Sequence, residues 1–304
     1  MILPYDAEGG IPKVVANKLA VLASGAWILP FWREPGKTCP KLRSEVKDPK
    51  DIVRGSAGVL ISGDQGLTWR VRGNLTSPGT WLIENTVVEL GSRELLQHFR
   101  TRKGVAYSSV SRDGGETWSS PQRTSIPNPN SKMHTIRVSN AHPPLAALRG
   151  AAGSLGARQD GDGAGRLVDA GAVTGRGLLA AAGTAGKKSE DGGDHTTPGG
   201  ATGDPTPLLL AAYNHHPRLR APLVLARSRD NGNSWGAFAV LETPTATLLQ
   251  FSYPTMLATA RGTIAGGGAE ARLFTAYSVM KSSRGSLTCY GIKVARIPMA
   301  GIPG

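Results

Sequence analysis

Three copies of one spacing set an aspartate, a glycine, a hydroxyl and a tryptophan in fixed order. The pattern Ser-x-Asp-x-Gly-x-[Ser/Thr]-Trp runs from Ser62 through Asp64, Gly66 and Thr68 to Trp69. It recurs at Ser111, Asp113, Gly115, Thr117 and Trp118, and again at Ser228, Asp230, Gly232, Ser234 and Trp235. A carboxylate so placed can shuttle protons or accept hydrogen bonds from turn amides. Its neighbours favour the second use: the glycine can take a positive φ, and the tryptophan can pack on the edge of its own unit. The three aspartates are therefore expected to be structural. His215 and His216 form the other pair with chemical potential. Adjacent strand residues point to opposite faces, so the two cannot chelate one metal together. That leaves His215 as a candidate contact for a substrate hydroxyl. Asn128, Asn130 and Asn214 suit hydroxyl recognition or turn formation. Cys39 and Cys289 are the only cysteines, which excludes a disulfide framework. No CxxC or Cys/His cluster points to zinc. No metal and no cofactor is expected.

The elements that carry these residues read as short strands. Candidates are 13–22, 27–32, 58–62, 87–90, 95–100, 106–111, 135–138, 208–214, 223–228, 253–258, 273–278 and 290–297, separated by Gly, Pro, Asn and Asp clusters. No stretch sustains a helical period over three turns. The run 14–32 is broken by Asn17, Lys18, Ser24 and Gly25 and reads as two strands joined at Ser24-Gly25, not as a membrane span. Each box follows a β-rich run and so occupies a hairpin turn. The first two boxes start 49 residues apart and the next two 117 apart, or 61 without an intervening insertion. One four-stranded unit per roughly 50 residues is the period of a β-propeller blade.

That insertion, 149–204, holds 16 glycines and no Phe, Trp or Tyr. It offers too little apolar surface to offset its ordering entropy and is expected to be disordered. The chain then divides into a first propeller part (1–148), the insertion (149–204) and a second propeller part (205–304), all one domain. The 304 residues carry a formal charge of +13, which admits an acidic partner. Lys and Arg are scattered and aromatics are 6%, which argues against nucleic acid. The N-terminus shows neither a basic n-region nor an apolar h-region, so no signal peptide is visible and a cytoplasmic location is the default expectation.

The repeat resembles the Asp-box of the sialidase superfamily. So do the run from Gly10 to Glu34, Asn128-Pro-Asn-Ser131, Tyr213-Asn-His-His216 and Phe251-Ser-Tyr-Pro254, which are similar to the BNR-repeat branch of bacteria and plants or algae. The resemblance implies an all-β, six-bladed propeller and retaining hydrolysis of a terminal acidic sugar. The runner-up is a non-catalytic carbohydrate-binding or interaction propeller. In the family a neutral Tyr attacks, because a carboxylate nucleophile would be repelled by the substrate's own carboxylate, and a Glu takes its proton. Arginines grip that carboxylate. The resemblance implies Tyr253 as nucleophile, Glu84 as its activator, and Arg100 and Arg220 as clamps, with Arg218 as the alternative to Arg220. The family's first arginine and its acid/base Asp have no clear counterpart; Asp6 lies very near the start, and Lys13, Lys18 and Arg33 offer only charge. Four units are recognisable, with ends at Trp69, Trp118, Trp235 and Ile297. The chain is thus expected to begin inside the propeller, with about four to five blades. Open blade edges, among them 290–297, imply self-association.

Overall fold

The computed structural model describes residues 13–34, 56–138, 207–244, 249–259, 270–283 and 286–302. The insertion 149–204, Cys39 and Asp6 lie outside the described residues. The described chain is all-β apart from a 3-10 turn at Met299–Gly301. It forms four antiparallel sheets that follow one another as propeller blades. The first contains β1 (Lys13–Val14), β2 (Ala20–Val21), β3 (Trp27–Arg33), β4 (Ala57–Ser62) and β5 (Arg70–Leu75). The second is β6 (Ile83–Gly91), β7 (Glu94–Arg100), β8 (Gly104–Ser111) and β9 (Gln122–Asn128). The third is β10 (His134–Val138), β11 (Leu208–Asn214), β12 (Leu223–Ser228) and β13 (Gly236–Glu242). The fourth is β14 (Leu249–Thr259), β15 (Arg272–Ser283) and β16 (Ser286–Pro298).

Three strands escape the sequence reading: β5, β9 and β13. Each directly follows a box and forms the outer edge of its blade, so most of its residues are only partly buried or exposed. Their apolar signal is correspondingly weak. The unit boundaries shift as a result. A box does not end a blade; it is the turn between the third and fourth strands, and the strand after Trp69, Trp118 or Trp235 still belongs to the same sheet. The expected strand 13–22 is also corrected. It breaks into β1 and β2, because Asn17 turns inward to donate to the carbonyls of Glu84 (3.0 Å), Asn85 (3.0 Å) and Met133 (3.3 Å).

The box turns are built alike. In the first, Ser62 Oγ donates to Asp64 Oδ1 (2.8 Å), Gly66 N donates to Ser62 Oγ (2.7 Å), and Thr68 donates through N (2.8 Å) and Oγ1 (2.5 Å) to Asp64. Trp69 Nε1 closes the turn on Gly66 O at 3.0 Å. Asp113 and Asp230 repeat the pattern with Thr117 and Ser234, and Trp118 and Trp235 close on Gly115 and Gly232. The closing glycines have φ of +91°, +94° and +85°, a region that costs a side chain energy. The hydrogen bonds from Thr68 and Thr117 hold the Asp64 and Asp113 carboxyls down at about 2. Those pKa values lie below the unfolded value of about 3.8, so the stability they supply is present above pH 4 and is lost as pH falls toward 2. Thermal melts at pH 6, 4 and 2.5 are expected to show a loss that Asp113→Asn blunts. An unchanged acid slope in that variant would remove the box from the acid response.

The core lies between blades as much as within them. Trp118 packs against Leu22, Ile28, Val59 and Ile61 of the first blade as well as Val87 and Leu95 of its own. Trp235 packs against Ala106 and Ile126 of the second blade and stands edge-on to His98, with ring centroids 5.6 Å apart. The expectation of packing on the unit's own edge is therefore only part of the truth: these two rings weld each blade to the one before it. At the other end of the series, β16 has one strand partner among the described residues, β15. Its alternate residues Tyr290, Ile292 and Val294 are 73%, 74% and 47% exposed. Apolar edge strands pair with other chains. Sedimentation velocity is expected to show concentration-dependent self-association that Ile292→Lys reduces; a concentration-independent monomer in the parent would overturn this.

Candidate functional site

Two β-bulges place two charged or polar side chains where a regular strand would not. The β6–β7 register shifts between Ile83 and Thr86, and Glu84 takes φ +48°. The β14–β15 register shifts between Ser252 and Thr255, and Tyr253 takes φ +57°. Such backbone costs on the order of 1–3 kcal/mol per residue and persists only where surroundings impose it. Bulges re-aim side chains, and here both aim at the same point. Arg100, at the end of β7, donates through Nη1 to both Glu84 oxygens at 2.8 Å and to the Tyr253 hydroxyl at 3.4 Å. Its Nε donates to Asn130 Oδ1 at 2.9 Å. Asn130, itself at φ +56°, also accepts at its backbone carbonyl from Arg220 Nη2 at 2.9 Å. Arg220 Nη1 reaches Ser252 Oγ at 3.2 Å, and its guanidinium lies 5.7 Å from the Tyr253 ring centroid. The second, third and fourth blades thus each supply part of one constellation.

Burial grades the group. Glu84 is 7% exposed, whereas Tyr253 is 37% exposed, so the tyrosine is the more open of the two. Burial works against the Arg100 charge, but the Glu84 carboxylate and the Tyr253 hydroxyl more than compensate and raise its pKa.

Behind Tyr253 sits a support that sequence reasoning missed. Lys132, 3% exposed, donates to Pro254 O at 2.7 Å and to Thr255 Oγ1 at 2.8 Å. Lys18 Nζ donates to Met256 O at 3.0 Å, and Met256 N donates to His134 Nδ1 at 2.9 Å. These three side chains occupy the free edge of β14 directly after the bulge. Desolvation pulls the Lys132 pKa down to about 8 against the attraction of Glu84. Burial likewise holds His134 neutral, near 3. The one sequence signal was a lysine flanked by Ser131 and Met133 just after the asparagine turn.

The remaining candidates fall outside this centre. Arg218 is exposed and sits on a turn whose backbone amides, its own and that of Leu219, donate to His216 Nδ1 at 3.0 and 2.8 Å. Arg220, not Arg218, is the arginine beside Tyr253. His215 Nδ1 lies 3.1 Å from the hydroxyl of buried Tyr213. Arg33 is buried in the first blade, 4.9 Å from the Phe31 ring centroid and bonded to Gly73 O at 3.2 Å. Cys289 is a free, exposed thiol. Among the described residues no three His, Cys, Asp or Glu side chains group as a metal site would require. A cavity of about 420 Å³ lies at the box end and includes Asp113 and Glu116. Its carboxylates are committed: Asp113 to Thr117, Glu116 to Arg70 at 2.8 Å and to Arg72. We place the site at the opposite end, where the strained residues and the arginines converge.

Residues 3–150 match the BNR repeat-like domain family. No curated protein matches the chain. Solved structures do. NanB sialidase from Streptococcus pneumoniae superposes with a TM-score of 0.52 at 14% identity, over 94% of this chain and 31% of the sialidase. The intramolecular trans-sialidase from Ruminococcus gnavus gives 0.50 at 15% identity, over 95% and 43%. The Trypanosoma rangeli sialidase gives 0.50 at 12% identity, over 98% and 34%. The chain thus spans between about a third and under half the length of these structures. At such identities the likeness is one of fold.

Proposed function

We propose that this chain, a sialidase-like propeller of the BNR-repeat superfamily, binds the carboxylate of a terminal acidic sugar of the sialic acid type and cleaves its glycosidic bond with retention. The observation that carries the reading is the meeting of Glu84, Arg100, Arg220 and Tyr253, two of them in strained bulges, at one end of three blades. Arg100 and Arg220 supply the cationic side on which a sugar carboxylate pairs. Tyr253 is uncharged when protonated and so can approach an anomeric carbon that bears that carboxylate. The Tyr253 oxygen forms the new bond to this carbon, the bond to the leaving oxygen breaks, and the phenolic proton passes to Glu84. Water then attacks the same carbon as the bond to the Tyr253 oxygen breaks, Glu84 returns its proton to the phenol, and the proton that water sheds passes through solvent to the leaving oxygen, which departed as its anion. Lys132 and Lys18 hold the backbone beyond Tyr253 so that its ring stays under Arg220.

Turnover of an aryl sialoside tests this, because an aryl leaving group departs with little protonation and isolates the step made by Tyr253 and Glu84. A binding module without turnover is the second reading. It draws on the fact that both Glu84 oxygens already accept from Arg100 at 2.8 Å, so the carboxylate is engaged before any ligand arrives. Affinity for sialosides on a glycan array with no release of aryl alcohol would select it. Neither affinity nor turnover would reject both.

A further inference from the structure

Beside the central constellation lies a second cleft of about 290 Å³, whose walls include Arg102, Gly104, Asn128, Asn130, Pro217 and Arg218. Its lining includes two arginines and no Asp or Glu. Some arginines of the described surface have acidic partners: Arg70 and Arg72 pair with Glu116, Arg112 with Glu94 and Arg137 with Glu89. Arg102 and Arg218 have no ion pair among the described residues. Both stand on ordered turns. The Arg102 amide donates to Thr80 Oγ1 at 3.0 Å, its guanidinium lies 6.0 Å from the Trp81 ring centroid, and the next residue is fixed by Lys103 N donating to Thr101 Oγ1 at 3.1 Å. Arg218 is held through His216. Gly104 and Pro217 bring the two turns together: a Cβ on Gly104 would lie 3.5 Å from Pro217 Cβ. The wall shared with the central site is Asn130, which accepts from both Arg100 and Arg220.

We propose that this cleft is a second anion subsite, so that the preferred ligand is a glycan carrying two acidic groups: one on the terminal sugar, at Arg100 and Arg220, and one on the adjoining sugar, at Arg102 and Arg218. The inference rests on the acidic-sugar reading of the central site and deepens it to a substrate class. Two guanidiniums with no local carboxylate leave a positive potential that an anion neutralises, and the Trp81 face keeps one of them from collapsing into solvent. The contact is solvent-accessible, so its effect is moderate and falls with salt.

Calorimetric titration at low ionic strength decides it, with an α2,8-linked disialoside as the two-carboxylate probe and sialyllactose as the one-carboxylate probe. The parent protein is expected to bind the disialoside about 5- to 30-fold more tightly, as two modest charge contacts allow. The double variant Arg102→Ala/Arg218→Ala brings that ratio to about one while sialyllactose affinity stays within roughly twofold. Arg229→Ala/Arg296→Ala, which removes the same charge from exposed sites elsewhere, keeps the preference. An equal loss in both double variants, or no preference in the parent, overturns the subsite. A parent that binds neither sialoside fails the acidic-sugar reading. A disulfated disaccharide then judges the cleft alone: binding lost in the cleft variant and kept in the control upholds it, and equal binding in all three proteins overturns it.

Discussion

On the proposed mechanism, Tyr253→Phe is expected to leave the propeller folded and to lower kcat for the aryl sialoside by about a thousandfold or more, with KM changed little, as a nucleophile acting mainly in the transition state would require. The substitution deletes one oxygen. It removes the 3.4 Å contact with Arg100 Nη1 and keeps the ring 5.7 Å from Arg220. Phe accepts φ +57° no worse than Tyr does, so the bulge and the lysine contacts to Pro254 and Thr255 survive. Arg100 still has both Glu84 oxygens and Asn130 as partners. Steady-state kinetics with melting curves as a folding control make the comparison. If the variant turns over the sialoside within about tenfold of the parent, Tyr253 is not the nucleophile and the proposed mechanism falls. If it binds sialyllactose as the parent does while neither protein turns anything over, the chain is a binding module.

The repeat was legible because a box is a local device. Ser62, Asp64, Gly66, Thr68 and Trp69 satisfy one another within a single turn, so their types must stand at fixed spacing. Strands with buried faces, such as β11 and β12, announced themselves through Leu and Ala runs. The outer strands did not. Half-exposed sequences such as Gln122–Asn128 owe their conformation to hydrogen bonds from the preceding strand rather than to an apolar pattern. At the site, order along the chain and family likeness pointed to Glu84, Arg100, Arg220 and Tyr253. Nothing local revealed the two bulges that aim Glu84 and Tyr253, since a register shift is a property of a pair of strands. Lys132 was invisible for the same reason: its partners are 122 and 123 residues away. Arg218 and Arg220 could not be separated by composition, because which of them faces Tyr253 depends on the turn at His216 and on how Ser252 and Asn130 receive Arg220.

Trp118→Ala is expected to destabilise the protein by roughly 3–5 kcal/mol, the range for deleting a large aromatic from a packed site, and to leave any selectivity among ligands unchanged. The ring is shared. It packs against the cluster that holds Leu22, Ile28, Val59 and Ile61 and also against the cluster of Ala57, Leu75, Leu82, Phe99 and Tyr107. A Cβ on Gly73 would lie 3.5 Å from its Cδ1. The indole also donates to Gly115 O at 3.0 Å and so closes its own turn. Its removal opens a void between the first and second blades and frees the turn at once. The first blade's Trp69 makes the informative contrast. Its ring meets Trp27 of the same blade, with centroids 6.5 Å apart, so Trp69→Ala loosens one sheet without parting two and costs less. The two ends of the blade explain why selectivity holds. The box lies where β8 ends, whereas Glu84 opens β6 and Arg100 ends β7, at the far end of the same sheet. Chemical denaturation with the two titrations repeated at a temperature where the variant is folded tests both halves. An unaltered unfolding midpoint together with a changed disialoside preference would mean that the box ring meets the ligand, and its role as the seam between blades would have to be abandoned.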